Sequence, residues 1–513
     1  MNAPRQFIPS PQQANFLQWI ERGQGSAFLE AVAGAGKTTT LVEALKIAKG
    51  NVSFAAYNTK IVAEVRAKVA HLNFGNRVRI GTFHSFGLGA WRYVHKNVKS
   101  GPEAAREKWD RTWNSNEVGV VPPQIQGFVQ KLVGLGKQSA VGLLRQIDDD
   151  SFWYSLIDRF DLSYEIEGDD ENALEDAMAL GIECTKRILL LHKAWGPDIV
   201  DFDDMIWLPV ISGIKVWQNP WVFVDEAQDT NPARRALARK MLMRTGRAVF
   251  VGDRHQAIYG FTGADNDSID QIVRDFNCVQ LPLTTTFRCP KEVVRTAQTI
   301  VSHIQAADTA PEGVVRVIGS DEFQQIKDFH PTEDAILCRN TKPLVKMAYN
   351  FIKRGIPCHV EGKDIGAGLL KLVNRFAARS LETLRDKLTK FMERETEKLK
   401  AKGKETQAEA LADRIETIFV IMDDGTIKSV TDLRNKIVAL FEDGENEPRP
   451  TLTLCTAHRS KGREWKRVFL YGKNQYMPSP YARQQWQMEQ ENNLIYVSYT
   501  RAMQELVLVH SND

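Results

Sequence analysis

The run Ala33-Gly34-Ala35-Gly36-Lys37-Thr38 combines small residues, a lysine and a hydroxyl at a spacing suited to holding phosphates. Glycines let successive backbone N–H groups turn toward one anion, and a helix beginning there adds the positive end of its dipole. Lys37 can then reach the β- and γ-phosphates of ATP, and the Thr38 hydroxyl can ligate Mg²⁺. The first glycine of the usual pattern is replaced by Ala31. A second run, Trp221-Val222-Phe223-Val224-Asp225-Glu226, is an apolar strand that ends in two carboxylates. Such a pair suits two tasks: Asp225 can help hold Mg²⁺, and Glu226 can orient and deprotonate an attacking water. The chemistry expected is hydrolysis of ATP.

Both runs need a rigid sheet behind them. β-Branched and aromatic segments alternate with helical stretches in two zones. In the first zone strands are expected at 26–30, 52–56, 78–80, 221–224 and 248–251, with an amphipathic helix at 39–48. In the second zone they are expected at 314–318, 335–338, 452–455, 468–471 and 506–510. Strands spaced by helices indicate α/β architecture with parallel sheets, two in this case. Two mainly helical insertions interrupt the pattern. The resulting division is 1–92, 93–200 (insertion), 201–281, 282–364, 365–447 (smaller insertion) and 448–513. In the second insertion Leu384, Leu388, Phe391 and Leu399 recur among Lys and Glu as an amphipathic helix does.

The 513 residues allow several domains, and the net charge of +3 neither requires nor excludes a nucleic-acid partner. Residues 1–13 lack the apolar core of a signal peptide and no apolar run reaches membrane-spanning length, so a cytoplasmic protein is expected (host-cell cytoplasm if phage-encoded), with no membrane partner. Six cysteines, at 184, 278, 289, 338, 358 and 455, form no CxxC pair, which argues against a zinc or iron–sulfur site and for reduced, scattered thiols.

Further motifs in order resemble those of the UvrD/Rep/PcrA group of superfamily-1A helicases, and the resemblance covers both α/β zones. Ser10-Pro11-Gln12-Gln13 is similar to the segment that reads adenine, with Gln13 at the matching position. Tyr57-Asn58-Thr59-Lys60 and Gly81-Thr82-Phe83-His84 resemble two DNA-contact motifs. In the stretch from Gly252 to Ala264, Gln256 matches a γ-phosphate sensor, and Tyr259 and Phe261 match aromatics that stack on bases. Thr286-Phe287-Arg288 resembles the motif whose aromatic covers adenine and whose arginine reaches the γ-phosphate. His458 and Glu464 lie in a motif that contacts DNA and ribose respectively, and Arg501 in Tyr499-Thr500-Arg501-Ala502 matches a second arginine finger. Thr39 stands where the group often has arginine, and Phe261-Thr262 replaces its usual Trp-Arg.

The resemblance implies two RecA-like domains, ATP and Mg²⁺ as cofactors, and single-stranded, tailed or forked duplex DNA as track. Gln256-Ala257-Ile258-Tyr259 is similar to the 3′-to-5′ branch. The expected function is an ATP-dependent DNA helicase or translocase, with a protein partner in repair, replication or defence. Two alternatives stay open: a DNA-stimulated ATPase that remodels nucleoprotein or regulates a partner with little unwinding, and a nucleotide-sensing module.

Overall fold

A strand buried at every residue has neighbours on both faces, and Val52–Ala56, Asp334–Cys338 and Leu452–Thr456 are of that kind. Runs like these belong to parallel sheets covered by helices on both sides. The computed structural model of the chain contains two such sheets in two units. The first unit comprises Met1–Ala31 and Gly36–Leu283, the second Val32–Ala35 and Thr284–Asp513. The residues described are 7–511, apart from 73, 161, 163–165, 167–170, 259–267, 377, 402–404, 442–450 and 483–484.

In the first unit the strands are β1 (Ser26–Ala31), β2 (Val52–Ala56), β3 (Val78–Thr82), β4 (Asn219–Val224), β5 (Leu242–Gly252) and β6 (Cys278–Leu283), in the order β3-β2-β4-β5-β1-β6. All pairs are parallel. Between β3 and β4 the chain leaves the sheet for helices that include Pro102–Trp113, Pro123–Gln138, Asp150–Phe160 and Glu171–Trp195. Their core packs Phe128, Leu132, Trp153, Ile188 and Trp207.

This helical layer also buries charge. Lys108 pairs with Asp204, and Lys137 Nζ lies 2.7 Å from Asp201 and 2.8 Å from Asp204. His192 Nδ1 is 3.0 Å from the Lys137 ammonium and Nε2 is 2.9 Å from the Thr112 hydroxyl. Burial and the two lysines hold the imidazole well below its ordinary pKa, so it is neutral. His192, Asp201 and Asp204 are close enough together to ligate a metal, but here the two ammonium groups supply the positive charge.

The second unit has a short parallel ribbon, β7 (Thr285–Thr286) and β8 (Gln305–Ala306). Its main sheet is formed by β9 (Val314–Gly319), β10 (Asp334–Cys338), β11 (Cys358–Val360), β12 (Leu452–Thr456), β13 (Trp465–Tyr471) and β14 (Ala502–His510). The order is β11-β12-β10-β13-β14-β9, again parallel throughout. Helices Lys363–Arg375, Leu381–Ala401, Glu405–Met422 and Val430–Leu440 fall between β11 and β12. Leu384, Leu388, Phe391 and Leu399 are buried, as are Leu411, Ile415 and Ile418 of the next helix, so the amphipathic stripe closes a small helical core.

Every strand expected from sequence is present. Those missed are the ribbon, the three-residue β11, and β6, an edge strand whose largely exposed face and Pro282 disguise it. β6 runs to Leu283, the last residue of the first unit. All six cysteines are free thiols, four of them buried. No helix among the described residues is long and apolar enough to cross a membrane.

Candidate functional site

Strands β4, β5 and β1 are neighbours, so their carboxyl ends deliver three loops to one place. β1 leads into the glycine run and Lys37 opens the helix Lys37–Ile47, two residues earlier than expected. Gly36, its N-cap, takes φ +74°, a left-handed value that glycine adopts without strain. β4 ends at Asp225 and Glu226, and β5 at Asp253 and Gln256. Lys37 Nζ lies 3.4 Å from Glu226 Oε1. Glu226 itself has φ +50°, an uncommon conformation for a residue with a Cβ, and Gln228 Nε2 donates to its Oε2. Gln228 Oε1 accepts the Asp253 N–H at 3.2 Å, and Gln256 Nε2 donates to Asp253 Oδ2 at 2.7 Å. A chain of amides thus ties the proposed base to the proposed phosphate sensor through Gln228 and Asp253, two residues to which sequence reading gave no role.

Burial works against the Lys37 charge, but Glu226, Asp253 and Asp225 outweigh it and hold its pKa above the ordinary lysine value. The carboxylates are under-compensated in turn. Burial, then the neighbouring Glu226, pushes Asp225 up to about 7, and burial raises Asp253 despite Lys37. One ammonium among three carboxylates, with the Thr38 hydroxyl beside Lys37 in sequence, is a donor set that fits a divalent cation.

A stability test follows from the Asp225 shift. Its folded pKa lies above the value of about 3.9 usual for Asp, so the fold favours the neutral acid. That contribution is complete below the unfolded pKa and is lost as pH rises through about 7. Asp225→Asn should therefore melt above the nucleotide-free wild type at pH 8. The gap should be at least about 2 °C, which roughly 1 kcal/mol produces in a domain of this size, and should close as pH falls toward 4. A variant that melts lower at pH 8, or with a pH-independent gap, contradicts the shift.

Val32–Ala35 group with the second unit. The Ala33 N–H donates to Tyr496 Oη at 2.8 Å, and the Phe287 N–H to the Gly34 carbonyl at 2.9 Å. Gly34 has φ +73°, and a Cβ there would lie 2.5 Å from Thr286 Oγ1 and 2.6 Å from Arg288 Cβ, so no other residue fits. Arg288 Nε lies 2.6 Å from Glu464 Oε2. Arg501 is 1% exposed and donates to the Val497 carbonyl, the Arg463 carbonyl and the Thr500 hydroxyl. Burial, then Arg288, lowers its pKa to about 10, still charged at neutral pH. Phe287 is 53% exposed, an open ring beside this cluster. Gln13 is buried in the first unit: Oε1 accepts from the Ser10 N–H and Nε2 donates to Thr40 Oγ1 at 2.9 Å, on the helix that Lys37 starts.

The DNA-contact candidates divide differently. Tyr57 and His84 line one cavity of about 130 Å³ with Gln138, Asp203, Asn231 and Arg234, and the Arg234 guanidinium sits 4.6 Å over the Tyr57 ring. Burial, then Arg234, lowers the His84 pKa to about 4. Asn58 and Thr82 are helix N-caps whose side-chain oxygens accept from the Ile61 and Ser85 N–H groups, a task their motif spacing did not reveal. His458, in the second unit, is partly buried, and burial followed by Arg339 pushes it down to about 3, so it is neutral. Tyr259 and Phe261 lie outside the described residues.

Residues 12–277 match the UvrD/REP helicase N-terminal domain, and residues 367–513 match the UvrD-like helicase C-terminal domain. The ATP-dependent DNA helicase Rep of Buchnera aphidicola subsp. Schizaphis graminum is 24% identical over 304 residues, 55% of this chain and 43% of that protein. A probable DNA helicase II homolog of Mycoplasma genitalium is 22% identical over 607 residues, covering 96% of this chain and 83% of the relative. The ATP-dependent DNA helicase PcrA of Leuconostoc citreum is 30% identical over 113 residues, 20% of this chain and 15% of its own length. The chain therefore spans less than half the length of the Rep protein it matches.

Proposed function

Because the chain belongs to the UvrD/REP helicase family, we propose that it is an ATP-dependent DNA helicase or translocase that moves 3′-to-5′ along single-stranded DNA. The observation that supports this most is the Lys37, Asp225, Glu226 and Asp253 cluster at the ends of three adjacent strands. The loop from Ala33 to Thr39 and the Lys37 ammonium hold the phosphates, while Thr38 and Asp225 would hold Mg²⁺, which neutralises phosphate charge when bound. Glu226 orients and deprotonates the attacking water, and Gln256 responds to the γ-phosphate. Arg288 and Arg501 stabilise the charge of the transition state, Phe287 and Gln13 take the adenine, and Glu464 stands toward the ribose. DNA would run past Tyr57, Asn58, Thr82, His84, Tyr259, Phe261 and His458, with stacking on the rings tolerating any sequence. The direction rests on the resemblance of Gln256-Ala257-Ile258-Tyr259 to the 3′-to-5′ branch.

The six-part division of the chain, with helical insertions in each RecA-like domain, is part of the same reading, as is a partner in repair, replication or defence. ATP turnover measured with and without oligo(dT), then unwinding of 3′- and 5′-tailed duplexes, tests it. Expected are DNA-stimulated turnover and unwinding of the 3′-tailed duplex alone. Stimulated turnover without unwinding would favour a nucleoprotein-remodelling ATPase, and nucleotide binding without turnover a sensing module.

A further inference from the structure

Two guanidiniums of the second unit lie near one carboxylate, and one of them pairs with it. Arg288 Nε is 2.6 Å from Glu464 Oε2, and Arg501 feels the charges of both. The Glu464 backbone is held from either side by Arg501, whose Nη1 donates to the Arg463 carbonyl at 2.9 Å and whose carbonyl accepts the Trp465 N–H at 3.0 Å. These two bonds fix the backbone on either side of Glu464, whose carboxylate meets Arg288. Its grip on Arg288 is looser. The Nε N–H makes no aligned hydrogen bond, and the Arg288 and Glu464 side chains are 22% and 49% exposed. Charge holds such a contact, and a stronger anion can replace it.

We propose that Glu464 is a positioning residue acting through Arg288: its carboxylate competes with a phosphate oxygen of ATP for the Arg288 guanidinium. The inference rests on the hydrolysis reading above and gives Glu464 this task in place of the ribose contact proposed there. Arg288 and Arg501 repel, and the carboxylate paired with Arg288 offsets that repulsion. A terminal phosphate has more charge and more oxygens to offer a forked guanidinium, so it displaces the carboxylate. Displacement has a cost, and the sign of that cost is what distinguishes this role from direct contact with the nucleotide.

The test is a double-mutant cycle: the Kd for a non-hydrolysable ATP analogue, by calorimetry, in wild type, Glu464→Gln, Arg288→Ala and the double variant. Glu464→Gln should bind about threefold tighter than wild type, the scale of a partly exposed ion pair. The gain should vanish when Arg288 is already Ala. Weaker binding in both backgrounds would mean that the carboxylate touches nucleotide itself, and that result, like an unchanged Kd, overturns the proposal. Glu464→Ser carries the same expectation as Gln, so the sign can be read from either. Failure of both neutral variants to fold also overturns the proposal, because a contact that substrate displaces cannot be required for folding. ATP turnover of the wild type beside Lys37→Ala separates the two levels. No Lys37-dependent turnover sinks the hydrolysis reading, whereas Lys37-dependent turnover without tighter binding in Glu464→Gln sinks only the role of Glu464.

Discussion

Glu226→Gln is expected to bind ATP and all but cease turning it over, with kcat reduced by at least about 10²- to 10⁴-fold, the usual contribution of a positioned general base. Glutamine keeps the size of the side chain and an oxygen that can accept from Gln228, so the amide chain to Asp253 and Gln256 survives. What disappears is the basicity and one of the charges facing Lys37. Lys37 retains Asp253 and Asp225 as counter-charges, so phosphate affinity should persist. Asp225, no longer raised by its neighbour, should ionise more readily. Equilibrium nucleotide binding beside steady-state turnover measures both halves, and near-normal turnover would remove Glu226 from the role of base.

Arg501→Ala should slow turnover by roughly 10³ or more on saturating single-stranded DNA, as losses of arginine fingers do, while ATP affinity stays within a few fold. The structure adds a complication that sequence did not reveal. The guanidinium also donates to the Val497 and Arg463 carbonyls; with alanine Val497 keeps the Thr500 hydroxyl at 3.2 Å, whereas the Arg463 carbonyl loses this donor at about 1–3 kcal/mol. Arg501→Lys keeps a charge and part of that bonding. A folded Arg501→Lys with strongly reduced kcat, its thermal melt near wild type, would therefore locate the loss in chemistry. Wild-type turnover in a folded Arg501→Ala would refute an ATP site completed by this arginine.

How much of this was legible beforehand depends on the range of the signal. The glycine–lysine loop and the Asp225–Glu226 pair stand out in the sequence because each is a short run that follows one strand, and the buried β1 and β4 supply those strands. The parallel sheets were readable from near-continuous apolar runs, which is also why β6, half polar and at an edge, was missed. Asn58 and Thr82 show the opposite limit. The same residues in the same motif can touch DNA or cap a helix, and only the hydrogen-bond geometry shows both oxygens already engaged by the backbone.

Sequence by itself determined which groups are on offer: a lysine in a glycine loop, paired carboxylates and two arginines, with their order along the chain. Tertiary structure alone decided the company each group keeps. Strand order places β5 between β4 and β1, bringing Asp253 and Gln228 to the base. Crossovers carry Glu464 to Arg288 and the Tyr496 hydroxyl to the Ala33 N–H. The physical reason is that strand and loop propensities act over a few residues, whereas electrostatic pairing, burial and the resulting pKa shifts depend on distances in space, which only the packed sheets fix.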